Sequence, residues 1–302
     1  MIKIFKTFGG CESATKLEKG CWIDVIQPTQ DEIEEIINGF NLPPDSIQDI
    51  LDADEMPRLE IDDTYTLIIM RIPVENSQNG IPYYTIPLGI FVTEDFTITI
   101  CNQDNEIIQP KQLSSTADTY NFILKFFVRS ASVFLKYLKQ INQQTSQIEK
   151  DLEESIKNSE LKKLLKMEKC LVYFITAIKS NEIVLHRLKN SKRITGEINE
   201  DLYEDALIEN RQALEMAQIY SDILSGMMDA FASIISNNLN VIMKKLTLIS
   251  IILMIPTLIA SIFGMNIPNF MEGSNWALPS IIILSLSLSL ISVKLMRNKQ
   301  WF

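Results

Sequence analysis

Oxygen-bearing side chains recur in the C-terminal third of the chain at a spacing suited to ion chemistry. Asp229, Ser233, Ser236, Asn240, Met243, Thr247, Ser250, Met254, Thr257, Ser261 and Gly264 follow one another in alternating steps of four and three. That is a heptad seam, which stays on one face of a slightly supercoiled helix. Within the apolar run Leu246–Phe263 every hydroxyl residue lies on the seam and every off-seam position is apolar. Two readings stand. Small hydroxyl residues let membrane helices approach closely and bond across their interface. Alternatively, several copies of the helix surround an axis and the seam faces water, where a ring of Asp229 carboxylates would handle cations. A chain with two spans cannot enclose a pore alone, so the second reading requires an oligomer.

The seam needs a helix that can sit in a membrane. Leu246–Phe263 runs for 18 residues without a charge, and Trp276–Met296 carries only Lys294, near its end. Each can cross roughly 30 Å of hydrocarbon as a helix. Pro256 and Pro279 are tolerated because neighbouring helices can satisfy the freed carbonyls. A pair of buried core helices in a soluble protein is the competing reading, disfavoured because core helices rarely run so long without a polar face. Lys244 and Lys245 precede the first span, Lys294, Arg297 and Lys299 close the second, and the loop Gly264–Asn275 has no Lys or Arg. The positive-inside rule then places both outer ends, with about 240 residues, in the cytoplasm. A two-span protein of the cell membrane with cytoplasmic N- and C-termini is expected, in contact with lipid.

Charge is unevenly placed over the 302 residues, whose formal net charge is −10. Residues 241–302 hold five basic side chains and one acid, which leaves 23 basic and 37 acidic before them, a balance of −14. A soluble part this acidic repels nucleic acid and anionic lipid, so no nucleic-acid partner is expected. Solubility is the plain account of such acidity, and attraction of cations the other. Cys11, Cys21, Cys101 and Cys170 show no CxxC or regular spacing and read as reduced thiols. His186 is the only histidine, which disfavours a zinc site of the usual His/Cys kind. The first ten residues, MIKIFKTFGG, hold no apolar run long enough for a signal peptide.

The fold class expected is α+β. Residues 1–115 hold the strand-like text: 21–26, 65–74, 87–96 and 97–102, with short helices at 31–40 and 44–51 and a turn at Asn79-Gly80. They form an α/β cytoplasmic domain. No phosphate-binding glycine loop, nucleophile elbow or kinase set appears, so neither an enzyme nor a cofactor is expected. Residues 116–196 read as a helical cytoplasmic segment of long antiparallel helices, broken near Asn190–Gly196. Residues 197–264 form one long stalk helix, on the order of 100 Å, that includes the first span at about 244–263. An external loop, 265–275, and the second span with a basic C-terminus, 276–302, complete the chain. The Ser-Leu alternation of the second span matches no helical face and suits a lipid-facing outer ring.

At the seam's outer end stands Phe263-Gly264-Met265-Asn266. Here the chain resembles the CorA-type magnesium transport family, whose signature is an aromatic residue followed by Gly-Met-Asn closing the first of two C-terminal spans. The likeness extends to Trp22-Ile23, Gln48-Asp49-Ile50-Leu51, Met56-Pro57-Arg58, Gly226-Met227-Met228-Asp229, Ser236-Asn237 and Lys299-Gln300-Trp301-Phe302. It implies a funnel-shaped homopentamer, which supplies the oligomer the seam requires. One departure stands out: the family's outer loop has Met-Pro-Glu, whereas this chain has Met271-Glu272-Gly273, with its proline at Pro268.

The resemblance implies a channel for divalent metal ions, Mg²⁺ first, with Co²⁺ and Ni²⁺ as further ions, passive and gated by intracellular Mg²⁺. Mg²⁺ keeps its first-shell waters, so a suitable filter presents neutral oxygens to a hydrated ion. Asn266 is the expected selectivity residue, shaped by Gly264 and Met265. Thr257, Ser250 and Asn240 would bond to the ion's water, while Met254, Met243 and Leu246 narrow the path and Asp229 rings the inner mouth. By the same resemblance, Glu272 would concentrate cations outside. Asp49 and Asp205 are the matching positions for regulatory Mg²⁺ between neighbouring cytoplasmic domains. A zinc transporter of the same superfamily is the nearest alternative, and a membrane-anchored signalling or scaffold protein the more distant one.

Overall fold

β-Branched and aliphatic runs in the N-terminal third build one six-stranded sheet, in the order β1-β2-β6-β5-β4-β3. The strands are β1 (Ile2–Lys6), β2 (Cys21–Ile26), β3 (Arg58–Ile61), β4 (Thr66–Glu75), β5 (Tyr83–Val92) and β6 (Thr97–Cys101). Only the β2–β6 pairing is parallel among these neighbours; the others are antiparallel. The helices are α1 (Gln30–Phe40), α2 (Pro44–Leu51), α3 (Thr119–Glu154), α4 (Asn158–Lys189), α5 (Glu200–Phe263) and α6 (Ala277–Asn298). The structure is a computed structural model that describes residues 1–6, 17–76, 80–108, 118–154, 158–191, 199–265 and 276–298. The chain divides into two compact units, Met1–Met227 and Met228–Phe302.

In the first unit, helices cover both faces of the sheet. Ile23, Val25, Leu67, Ile69, Phe91, Ile98 and Ile100 meet Ile36, Ile47 and Ile50 of α1 and α2 in one apolar core. Side chains of alternate parity point to the other face, where Trp22 meets Phe122 at 5.1 Å and Phe126 at 6.2 Å on α3. Burial on both faces explains why β4 and β5 read as nearly continuous apolar runs. α3 and α4 pack together, with Phe134 against Phe174 at 5.0 Å.

Local chemistry fixes the helix ends. Thr29 caps α1 in a capping box, accepting from Glu32 N at 3.3 Å while Glu32 accepts from Thr29 N at 2.9 Å. Pro44 opens α2, where its missing N–H costs nothing. Ile50 then lies across Gly89 of β5: a Cβ built on Gly89 would stand 2.2 Å from the Ile50 side chain. Only glycine admits α2 this close.

Several sequence readings shift. The edge strands β1 and β3 were not among the expected strands; both are short and carry charges (Lys3, Lys6, Arg58, Glu60), as edges often do. The run expected at 87–96 becomes β5 at Tyr83–Val92, because Thr93 and Phe96 close a turn on each other. The expected turn Asn79-Gly80 lies partly outside the described residues.

In the second unit, the apolar part of α5 and α6 leave most of their surface uncovered. Only 6% of the most apolar window of α5 and 11% of that of α6 is buried. The soluble core-helix alternative is thereby removed, because a core helix would be covered. Within the serine run of α6, Ser285 and Ser289 are the buried pair, one turn apart. The alternation therefore does contain a helical face, set by the four-residue step and not by the two-residue one.

Candidate ion pathway and candidate regulatory carboxylates

Every seam residue on α5 from Asp229 to Ser261 is exposed, including Asn240, Met243, Met254 and Thr257; Leu246 beside the seam and Gly264 just past the helix are exposed too. The better-covered flank of the span carries Leu248, Ile251, Ile252, Ile255 and Phe263, with Ile259 buried. Three seam hydroxyls turn back onto their own helix. Thr247 donates to Met243 O at 2.9 Å, Ser250 to Leu246 O at 3.0 Å, and Thr257 to Leu253 O at 2.8 Å. Each oxygen then has its lone pairs free to accept. Waters of a hydrated cation present their hydrogens outward, so acceptors are the matching chemistry. Between Ser250 and Ser261 the same face hollows into a shallow concavity of about 510 Å³, lined also by Leu253, Met254, Thr257 and Leu258.

α5 ends at Phe263, and Gly264 N donates to Ala260 O at 2.9 Å. A Cβ on Gly264 would meet Ala260 O at 3.1 Å, tight enough to disturb this last turn. Met265 is exposed. Asn266 and Glu272 lie outside the described residues.

The two carboxylates expected to bind regulatory Mg²⁺ stand in different surroundings. Asp205 is exposed in the first turns of α5. Asp49, the neighbour of Ile50 on α2, is held by Arg58, whose Nη2 donates to its Oδ2 at 2.7 Å. Arg58 also donates from Nε to Glu60 Oε1 at 2.5 Å and from Nη1 to Glu55 Oε1. Desolvation works against the charged guanidinium, yet the bonds it donates to Glu60 and Asp49 raise its pKa. The likeness at Met56-Pro57-Arg58 gives no sign of the three carboxylate partners of Arg58. Among the described residues no group of three or more His, Cys, Asp or Glu is set to hold a metal ion.

Further polar contacts hold the frame around these groups. Asn181 of α4, 1% exposed, accepts from Arg71 N at 2.9 Å and donates to Arg71 O at 2.7 Å. It completes β4 where β3 no longer runs beside it. Asn210 of α5 donates to Ile178 O at 3.2 Å, tying the start of α5 to α4. His186 is engaged by Tyr203, with Nδ1 2.9 Å from the phenol oxygen. Cys21, Cys101 and Cys170 are buried free thiols, and burial pushes Cys101 up to about 12 and Cys170 to about 11. Cys11 lies outside the described residues.

Comparison with known proteins agrees with this arrangement along nearly its whole length. The cobalt/magnesium transport protein CorA of Methanocaldococcus jannaschii is 26% identical, covering 93% of this chain and 90% of its own. The protein of the same name from Thermotoga maritima is 21% identical, covering 93% and 83%. The complete structure of the CorA magnesium transporter from M. jannaschii superposes with a TM-score of 0.84 at 22% identity, covering 100% of this chain and 99% of that one. The cytoplasmic domain of ZntB from Vibrio parahaemolyticus matches at a TM-score of 0.59 and 14% identity, over 78% of this chain and 96% of that one, which shows the fold alone. The family described as CorA-like Mg²⁺ transporter protein matches residues 18–297. With its two apolar C-terminal helices, mixed sheet and long stem helix, the chain belongs to that family of transporters.

Proposed function

We propose that the chain is the subunit of a funnel-shaped homopentameric channel that passes Mg²⁺ through the cell membrane passively and closes as internal Mg²⁺ rises. Co²⁺ and Ni²⁺ are the further ions of this reading; cobalt and magnesium both stand in the names of its relatives. The observation that carries it is the exposed seam of α5, whose hydroxyls Thr247, Ser250 and Thr257 donate to their own helix and keep acceptor oxygens outward. Copies of α5 around an axis would line a path with acceptors for the shell of a hydrated ion.

Along that path each residue has a task. Asp229 gathers cations at the inner mouth. Asn240, Ser250 and Thr257 accept hydrogen bonds from the ion's water, and Met243, Leu246 and Met254 form apolar rings that close by dewetting. Gly264 and Met265 shape the outer end so that Asn266 side-chain carbonyls meet the hydrated ion. Neutral oxygens suit an ion that dehydrates reluctantly and must leave again. Glu272 raises the cation concentration outside. Between neighbouring copies, Asp49 and Asp205 repel until Mg²⁺ neutralises them, which couples internal Mg²⁺ to closure.

Cysteine accessibility tests the orientation of the seam. In liposomes, a small thiol reagent should block Mg²⁺ flux through Ser250→Cys, Met254→Cys and Thr257→Cys. It should leave Ile252→Cys and Ile255→Cys, on the better-covered flank away from the seam, unblocked. Block spread evenly over both sets would contradict a pore-facing seam.

A further inference from the structure

Asp49 already has a cation on it. Ile50 seated over Gly89 fixes the position of α2, and Asp49 beside it meets the guanidinium that opens β3. That guanidinium reaches three carboxylates at once: Asp49 through Nη2, Glu60 through Nε and Glu55 through Nη1. One positive charge against three negative ones leaves the group two charges short of neutrality. Asp49 is the most accessible of the three, with its side chain 46% exposed against 22% for Glu55 and 36% for Glu60. It is therefore the carboxylate that an ion from solution reaches first.

We propose that Arg58 is a tethered competitor of regulatory Mg²⁺, occupying Asp49 until the ion displaces it and so setting the concentration at which the channel closes. This rests on the reading of Asp49 as a regulatory carboxylate. The exchange is chemically even: Asp49 trades a monovalent guanidinium for a divalent ion, and Arg58 keeps Glu55 and Glu60 as partners when it lets go. The pair is displaceable because its Asp49 side is 46% exposed, and an ion pair open to solvent is worth little. An arginine fork suits the resting position, since its planar donors can hold several carboxylates at once where a lysine would offer a point charge.

The full-length protein in liposomes tests this, with internal Mg²⁺ varied and flux followed to closure. Arg58→Gln should close at roughly two- to fivefold lower internal Mg²⁺, the range that a partly exposed ion pair supplies. Asp49→Asn should close only at higher Mg²⁺, and the double variant should behave as Asp49→Asn alone. Arg58→Lys, which keeps the charge and loses the fork, should fall between Arg58→Gln and the unaltered protein; it carries the test if Arg58→Gln does not fold. Closure of both Arg58 variants at unchanged or higher Mg²⁺, with Asp49→Asn still shifted, overturns the competition and leaves the regulatory reading of Asp49 standing. Unchanged closure in Asp49→Asn removes that reading and the competition together.

Discussion

Asp24, 1% exposed on β2, accepts from the Thr99 hydroxyl at 2.9 Å, and Trp22 Nε1 donates to the same hydroxyl at 3.0 Å. Burial raises its carboxyl to about 6, outweighing Thr99 and Lys3, which pull it down. The folded state therefore binds this proton more tightly than the unfolded chain, whose Asp titrates near its ordinary value. Stability contributed by the group is full at low pH, falls between about pH 4 and 6, and is lost above that. In denaturant titrations of the first unit, Asp24→Asn should flatten this window, gaining on the order of 2–3 kcal/mol at pH 7.5 and little at pH 4. Equal gains at both pH values would show that the carboxyl is not the titrating group. Gly89 makes the opposite demand, for a side chain that is absent. Gly89→Ala drives a methyl into Ile50 and should cost roughly 1–3 kcal/mol, read as an earlier denaturation midpoint. Neither effect was legible in the sequence: Asp24 sits in strand text like any exposed acid, and the meeting of Gly89 with Ile50 is made only by the fold.

At the scale of elements, the apolar periodicity carried furthest where burial is uniform. β2, β4, β6, α1 and α2 fall within a residue or so of the expected runs, because continuous apolar text and clear caps mark them. β1 and β3 escaped because edge strands need little apolar content and here carry charges. The seam of α5 was legible because heptad spacing is a property of the sequence itself; the back-bonding of its hydroxyls was not. Long-range clamps were equally hidden. Asn181 meets the Arg71 backbone across 110 residues of chain. Asn181→Leu would leave a buried N–H and C=O without their partner. A loss on the order of 2–4 kcal/mol is expected, and faster amide exchange at Arg71 would locate it. Unaltered exchange there would show that the clamp is dispensable.

For the whole molecule, family membership follows from nearly the full length of the chain, while assembly and gating belong to the proposal. A pentamer predicts a single species near five times 34.5 kDa of protein when detergent is accounted for by light scattering. A monomer active in transport would contradict the shared axis. Charge reversal at both regulatory positions, Asp49→Lys with Asp205→Lys, should leave a channel that no longer shuts at high internal Mg²⁺; normal closure would remove those residues from the gate. The central claim is tested most directly by Mg²⁺ uptake into liposomes that hold the purified protein and a Mg²⁺-sensitive dye. The account predicts a dye response driven by the gradient alone, strongly reduced in Asn266→Ala. No flux from the unaltered protein, or equal flux from Asn266→Ala, would contradict it.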